Sequence, residues 1–270
     1  MVVWRLLLAI FDLATLWLIW RLGLPFVAVA IYWLNPLLVK EIYNSAHLDV
    51  LMLPFLVAAA AAVAKKRFVG ATAALGIAAG IKLWPGLLLP IVWRRMSGRP
   101  GALLASAGLT LLAVSIVLLP YIYSGIDRSS GLVAYGRYWE MNDALYLGIK
   151  WVASRMGEMI EVGPAVQPLM PRMVFAILLV LTALVSAANK YADPAARFLL
   201  VICVLFLLSP TQFPWYYLWM LPFLAWRPNT ALLLYTALLP LYYLRPALEQ
   251  NDQGQIFDRL LIWVEHGPVI

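Results

Sequence analysis

Two stretches of this chain combine residues that can bind an anion or move a proton. The first runs Asn35-Pro36, then Lys40-Glu41, then Asn44-Ser45-Ala46-His47-Leu48-Asp49. Asn44, His47 and Asp49 are close enough to converge at the start of the next apolar segment. His47 would serve there as hydrogen-bond donor or cation, and Asp49 would orient it or bind a hydroxyl. A plainer account makes Asp49 the N-terminal cap of the following helix, in a solvated loop. The second stretch is Gly80-Ile81-Lys82-Leu83-Trp84-Pro85. A lysine at membrane depth is costly unless it faces a cavity or a partner, and its ammonium is a natural ligand for a phosphate group. The alternative is a side chain that snorkels to lipid headgroups.

Three further features carry weaker signals. Tyr135-Gly136-Arg137-Tyr138-Trp139-Glu140-Met141-Asn142-Asp143 sets aromatic rings among carboxylates and an amide. That composition suits ring stacking on a sugar, and it equally describes an interfacial aromatic anchor. Ser209-Pro210-Thr211-Gln212-Phe213-Pro214-Trp215-Tyr216-Tyr217 breaks an apolar run with two prolines and a polar pair, which locally reads as a turn in an aromatic belt. Asp12, inside the first apolar segment with Arg5 two turns earlier, reads as an interhelical hydrogen bond.

Other chemistries lack their residues. Nothing matches a phosphate-binding loop or a dinucleotide fingerprint, and no serine sits in a nucleophile elbow. His47 and His266 are far apart, with no zinc spacing, and Cys203 is the only cysteine. No cofactor and no metal is expected, and no nucleic-acid partner.

The elements that must position these residues are apolar. The chain has 270 residues, 64% hydrophobic and 12% charged, where ordinary soluble domains carry roughly 25% charged residues. A bilayer can solvate such a surface. Apolar segments fall at 2–20, 24–38, 50–64, 68–81, 85–93, 102–123, 173–188, 197–208, 214–226 and 229–244. Several are shorter than the ~20 residues that span a bilayer core; 68–81 and 85–93 read as two partial helices meeting at a polar break. The expected fold is all-α, a polytopic integral membrane bundle of about 8–10 transmembrane or partial helices. It is a single transmembrane domain, 1–270, with an external loop at about 124–171.

Charge gives the expected orientation. Arg21, Lys65, Lys66, Arg67, Arg94, Arg95, Arg99, Lys190, Arg197 and Arg227 share their set of loops with one acid, Asp193. The alternate loops mix basic residues with Glu41, Asp49, Asp127, Glu140, Asp143, Glu158, Glu161, Glu249, Asp252, Asp258 and Glu265. The positive-inside rule makes the first set cytoplasmic and the second external. In the long loop, Leu145, Ile149, Val152 and Met156 recur at helical spacing, as in a helix lying in the interface.

In order, Asn35-Pro36 … Glu41 … Asn44-x-x-His47-x-Asp49, the basic turn Lys65–Arg67, Gly76 … Lys82-Leu-Trp-Pro85 … Pro90 … Arg94-Arg95, Tyr138-Trp139-x-x-Asn142 and Ser209-Pro210 … Phe213-Pro214-Trp215-Tyr216 resemble the bacterial GT-C superfamily. The likeness is to its mannosyltransferase-type branch and covers most of residues 10–226. It implies a glycosyltransferase of the bacterial inner membrane, carrying out inverting transfer of a hexosyl unit, mannosyl in this branch, from a polyprenyl-phosphate donor to a glycan or glycolipid acceptor on the extracytoplasmic face. By position, His47 and Lys82 would bind the donor phosphate. Asn44 and Asp49 would position donor or acceptor, and Trp139, Asn142, Trp215 and Tyr216 would line the site. The chain departs from the family in opening directly in what resembles a later helix. The expectation is that the family's N-terminal helices and first external loop, with its acidic motif, are missing. Asp49 or Glu41 would then substitute as base, or a partner chain would supply the acidic loop. The competing readings are a lipid-linked sugar flippase or secondary transporter and a non-catalytic assembly subunit.

Overall fold

The computed structural model describes residues 2–124, 139–189 and 191–270. Asp127, Tyr135, Gly136, Arg137, Tyr138 and Lys190, which entered the sequence reading, lie outside them. Among the described residues the chain is helical, with no strand beyond an isolated bridge between Met141 and Thr211. Among the described residues four helical stretches are long and apolar enough to cross a membrane: Val2–Arg21, Pro100–Pro120, Gln167–Ala188 and Thr230–Gln250. A fifth arises if the bent pair Phe26–Trp33 and Pro36–Asn44 is one span. Leu48–Ala64, Phe68–Ile81 and Pro194–Leu207 are shorter apolar helices.

The sequence explains the boundaries. Pro194 and Pro100 each start a helix, where a missing N–H costs nothing, so these two helices begin before the apolar segments at 197 and 102. The predicted segment 214–226 is not one helix. It is a tight turn, Pro214–Trp219, followed by Leu221–Trp226, with Pro214 and Pro222 opening the two pieces.

Small residues set the packing of the first half. Leu53–Ala64 packs on Phe68–Ile81, and Leu56, Ala59 and Ala60 of the first share one buried core with Ala71, Leu75 and Ala78 of the second. A Cβ on Gly76 would stand 3.4 Å from the Ala113 Cβ, which places the next helix, Pro100–Ser124, in close approach. Polar contacts tie the same layer: Ser106 Oγ lies 2.6 Å from Thr72 Oγ1 and accepts from Trp93 Nε1 at 2.6 Å. Such small-residue and hydroxyl contacts are what associate helices in lipid, where burial of apolar area gives no drive. The outer faces leave large apolar side chains uncovered, among them Leu104, Leu111, Ile116, Ile177, Leu181 and Val185.

Hydrogen bonds fix which ends meet. Trp4 Nε1 donates to Ala46 O at 3.0 Å and Arg5 Nη2 to Asn44 O at 3.3 Å. The first helix therefore starts beside the 44–49 loop and ends at Arg21. Leu53–Ala64 leaves that loop toward Lys65–Arg67, and Phe68–Ile81 returns to set Lys82 against Asp49 at 2.6 Å. The piece from Trp84 to Trp93 then runs back to Arg94 and Arg95. The segments 68–81 and 85–93 are thus an up-and-down pair.

The helix expected within the long loop is Ala144–Met159. Tyr146, Ile149, Ala153 and Gly157 are buried, while Val152 and Met156 are exposed. The reason is close approach to Met170–Ala188: a Cβ on Gly157 would lie 2.9 Å from the Met170 sulfur. Small residues, not the large apolar ones, choose the contact face.

Candidate functional site

The site is built where helices stop. From Asn35, whose side chain caps Leu37 N at 3.0 Å, the helix Pro36–Leu38 widens into a π-type turn, Val39–Asn44. Such turns occur mostly as single insertions, often at functional positions. The chain then closes through Ser45 N→Lys40 O at 2.9 Å and His47 N→Glu41 O at 3.0 Å, with Ala46 at φ 59°. The tight turn Leu48–Met52 follows. This path turns Glu41 fully inward and leaves the His47 side chain 27% exposed.

Asp49 does not cap a helix. It sits inside the Leu48–Met52 turn, where His47 holds the cap position without a side-chain bond. Its Oδ1 instead accepts from Lys82 Nζ at 2.6 Å and from Trp219 Nε1 at 2.7 Å. Asp49 is only 2% exposed, so burial favours this paired arrangement over a solvated one. Lys82 follows the last turn of its helix in an extended conformation, φ −146°. Its ammonium lies 3.9 Å from the Tyr216 ring and 5.0 Å from the Trp219 ring. Burial lowers the Lys82 pKa from its ordinary value, and the Asp49 carboxylate opposes that shift.

A second row of groups runs beside the first. Glu41 Oε1 accepts from Tyr243 OH at 2.6 Å, and its Oε2 stands 3.4 Å from His47 Nε2. The His47 ring stacks on Trp215, centroids 4.1 Å apart at 13°, and Trp215 stacks on Phe213 at 4.3 Å and 12°. Tyr216 stacks on Trp219 at 4.7 Å. The turn Pro214–Trp219 thus places rings under both His47 and Lys82. Burial lowers the His47 pKa below its ordinary 6.5; Asp49 pulls it up, while Lys82 and Lys40 push it further down. The imidazole is therefore mainly neutral at pH 7, and Lys82 is the cation of the cluster.

The remaining sequence candidates lie around this core. Trp139 is 46% exposed and meets Phe213 edge-on at 6.0 Å. Asn44 is exposed, and its carbonyl accepts from Arg5. Asn142 is 1% exposed; its amide donates to Gln212 O at 3.3 Å and to Glu265 Oε1 at 2.5 Å. Asp12 accepts from Tyr32 OH at 2.7 Å and from Tyr43 OH at 2.6 Å, which makes it an interhelical tie.

Sequence reasoning missed Trp219, Tyr243 and Glu265. Trp219 had a usable signal: in a tight helical turn, residues three apart eclipse one another, so Tyr216 implied Trp219. Tyr243 reaches the site from a helix, and Glu265 reaches Asn142 behind it from a C-terminal segment, with no local pattern to mark either.

Residues 1–97 match the family model described as alpha-(1->6)-mannopyranosyltransferase, N-terminal domain. No curated protein and no solved structure matches the chain. The matched part carries Glu41, His47, Asp49 and Lys82, while Trp139, Asn142, Trp215, Tyr216 and Trp219 lie beyond it. The match supports a glycosyltransferase role for a mannosyltransferase-like membrane protein.

Proposed function

We propose that this chain is a GT-C-type membrane glycosyltransferase that moves a mannosyl unit from a polyprenyl-phosphate donor to a glycan or glycolipid hydroxyl on the extracytoplasmic face. The observation that carries the reading is the meeting of Lys82 and Asp49 with His47, Glu41 and the 213–219 rings at one end of an apolar bundle. The end opposite bears Lys65–Arg67 and Arg94–Arg99, so the positive-inside rule supports an extracytoplasmic site.

In this reading the acceptor hydroxyl attacks the anomeric carbon as the bond to the lipid phosphate breaks. The leaving group gains negative charge, and a fixed cation in a low-dielectric setting is the cheapest way to stabilise it. Lys82 fills that role, aimed by Asp49 and by the Tyr216 and Trp219 rings. The acceptor proton goes to the Glu41–His47 pair. A neutral, partly exposed imidazole facing a buried carboxylate is a suitable general base near neutral pH, whereas Asp49 already accepts two donors on one oxygen. Trp215 and Tyr216, half-buried beneath His47 and Lys82, hold those two groups in place and border the space for sugar or isoprenoid.

The test is transfer of labelled mannose from polyprenyl-phosphate mannose by the purified chain in proteoliposomes, with Lys82→Ala and His47→Ala as variants. Both variants should lose transfer by roughly 10²- to 10³-fold, the usual scale for a positioned charge or base. Undiminished transfer by Lys82→Ala would remove Lys82 from the site. Translocation of the lipid-linked sugar without transfer would replace the proposal with a transporter.

A further inference from the structure

Behind the aromatic row lies a buried polar network that the proposed chemistry does not use. Met141 N donates to Pro210 O at 2.8 Å and Gln212 N to Met141 O at 2.9 Å, so the 139–143 and 209–213 segments lie side by side. Gln212 Nε2 donates to Leu207 O and Ser209 O, and its Oε1 faces His266 Nε2 at 2.8 Å. Asn142, at φ 55°, donates one amide hydrogen to Gln212 O and one to Glu265 Oε1. Glu265 is 0% exposed.

Two atoms of the Asn142–Glu265 contact have no partner: Asn142 Oδ1 and Glu265 Oε2, both buried. Both are acceptors when Glu265 is ionised, and an unmet buried acceptor loses its hydration without a replacement bond. They belong to two planar groups already joined through their other ends. A single proton on Glu265 Oε2 would let it donate to Asn142 Oδ1 and close a two-bond ring between acid and amide. We infer that Glu265 is held as a neutral carboxylic acid paired in this way with Asn142, and that the pair is a positioning device for the Phe213–Trp215 stack. The positioning part rests on the proposed function; the protonation does not.

The surroundings agree. Burial pushes the Glu265 pKa up to about 8, against the opposing bond from Asn142. The titratable groups facing it are Tyr235 and Tyr242 from the helix and turn packed on it, and His266 beside it in sequence. Burial pushes the His266 pKa down to about 4, so it brings no positive charge near neutral pH. Asp143 lies next to Asn142, its own pKa raised by burial, with Lys150 and Arg245 acting on it rather than on Glu265.

The direct test is infrared difference spectroscopy of the full chain in lipid, wild type against Glu265→Gln. At pH 6.5 the wild type should show the carbonyl band of a protonated carboxylic acid, and the variant should lack it. Absence of that band at pH 6.5 would overturn the inference. Stability gives a second readout that needs no substrate. A raised folded pKa stabilises fully below the ordinary glutamate value and is lost as pH rises to about 8, so the unfolding constant of the wild type should grow by up to tenfold per pH unit across that window. Glu265→Gln keeps the ring, with its own NH2 donating to Asn142 Oδ1, and should lose that extra slope. Glu265→Ala should be much less stable at every pH. If Glu265→Gln were as unstable as Glu265→Ala, or kept the wild-type slope, the pair would not be acid and amide. If transfer is present, Glu265→Gln should retain it with a changed KM and little change in kcat.

Discussion

The Lys82–Asp49 pair permits a quantitative test by double-mutant cycle. The ammonium and carboxylate are 2.6 Å apart, with side-chain exposures of 25% and 2%. At an effective dielectric near 20 their gross attraction is about 6 kcal/mol, and desolvation offsets much of it. Removing one partner leaves the other charge buried and unpaired, which costs about 3–5 kcal/mol. Lys82→Met also loses the contacts with the Tyr216 and Trp219 rings, worth roughly 0.5–2 kcal/mol. Lys82→Met and Asp49→Leu should therefore each destabilise by about 3–5 kcal/mol, while the double variant, which leaves no unpaired charge and keeps apolar volume, should cost less than either alone. The coupling energy should therefore be at least about 3 kcal/mol. Unfolding by denaturant in bicelles, followed through tryptophan fluorescence, measures it. Singles near neutrality, or a double variant equal to the sum of the singles, would refute the claim that a buried ion pair holds the site together.

Other perturbations follow from the same contacts. Trp219→Phe keeps the ring under Tyr216 but removes a charged hydrogen bond to Asp49, and should cost about 1.5–3 kcal/mol in the same unfolding assay. His47 should titrate below 6.5 by carbon-13 histidine resonances, and Lys82→Met should move it upward by removing a neighbouring cation. Because its folded pKa is depressed, the His47 contribution is present above pH 6.5 and is lost as pH falls from there toward the folded value. Gly76→Ala should be neutral or slightly stabilising, since its Cβ would meet Ala113 at ordinary contact, whereas Gly76→Leu should cost about 1–3 kcal/mol by overpacking. Trp215→Ala, which removes the ring under His47, should raise KM for the donor more than Trp215→Phe does in the transfer assay.

The apolar segments gave the helices because hydrophobic runs and prolines act locally, and the polar break at Lys82 marked where two short helices meet. Details set by close approach were not legible. Spacing grouped Leu145, Ile149, Val152 and Met156 as one apolar face, but it did not show that Tyr146, Ala153 and Gly157 would pack inward together with Ile149. Asp49 had the spacing of a cap and the structure gives it an ion pair, because a cap bond is worth about 1 kcal/mol and leaving Lys82 and Asp49 separately buried costs several times more. Tyr243 and Glu265 reach their partners Glu41 and Asn142 across 202 and 123 residues of chain, and no local pattern reports such pairings.

The positions of the breaks connect the fold to the chemistry. Glu41 lies in a π-type turn, His47 and Asp49 in and before a tight turn, Lys82 just past a helix end, and Trp215, Tyr216 and Trp219 in the turn after Leu207. A continuous helix in lipid satisfies its own backbone and can present polar side chains only sideways, against another helix. A helix end exposes carbonyls that need donors, so it must sit in protein or by water. Gln212 meets that need by donating to Leu207 O and Ser209 O. Once such ends are gathered at one side of the bundle, the same polar setting accommodates a lysine, a histidine and two carboxylates. Replacing Gln212 with leucine should therefore damage the site without touching any of its charged groups. Leu207 O and Ser209 O would lose their donor, the 209–213 segment would shift, and the His47–Trp215 stack would loosen, read as a change in tryptophan emission. An unchanged emission spectrum and unchanged stability in Gln212→Leu would show that the helix end is satisfied by other means and that the aromatic row stands independently of it.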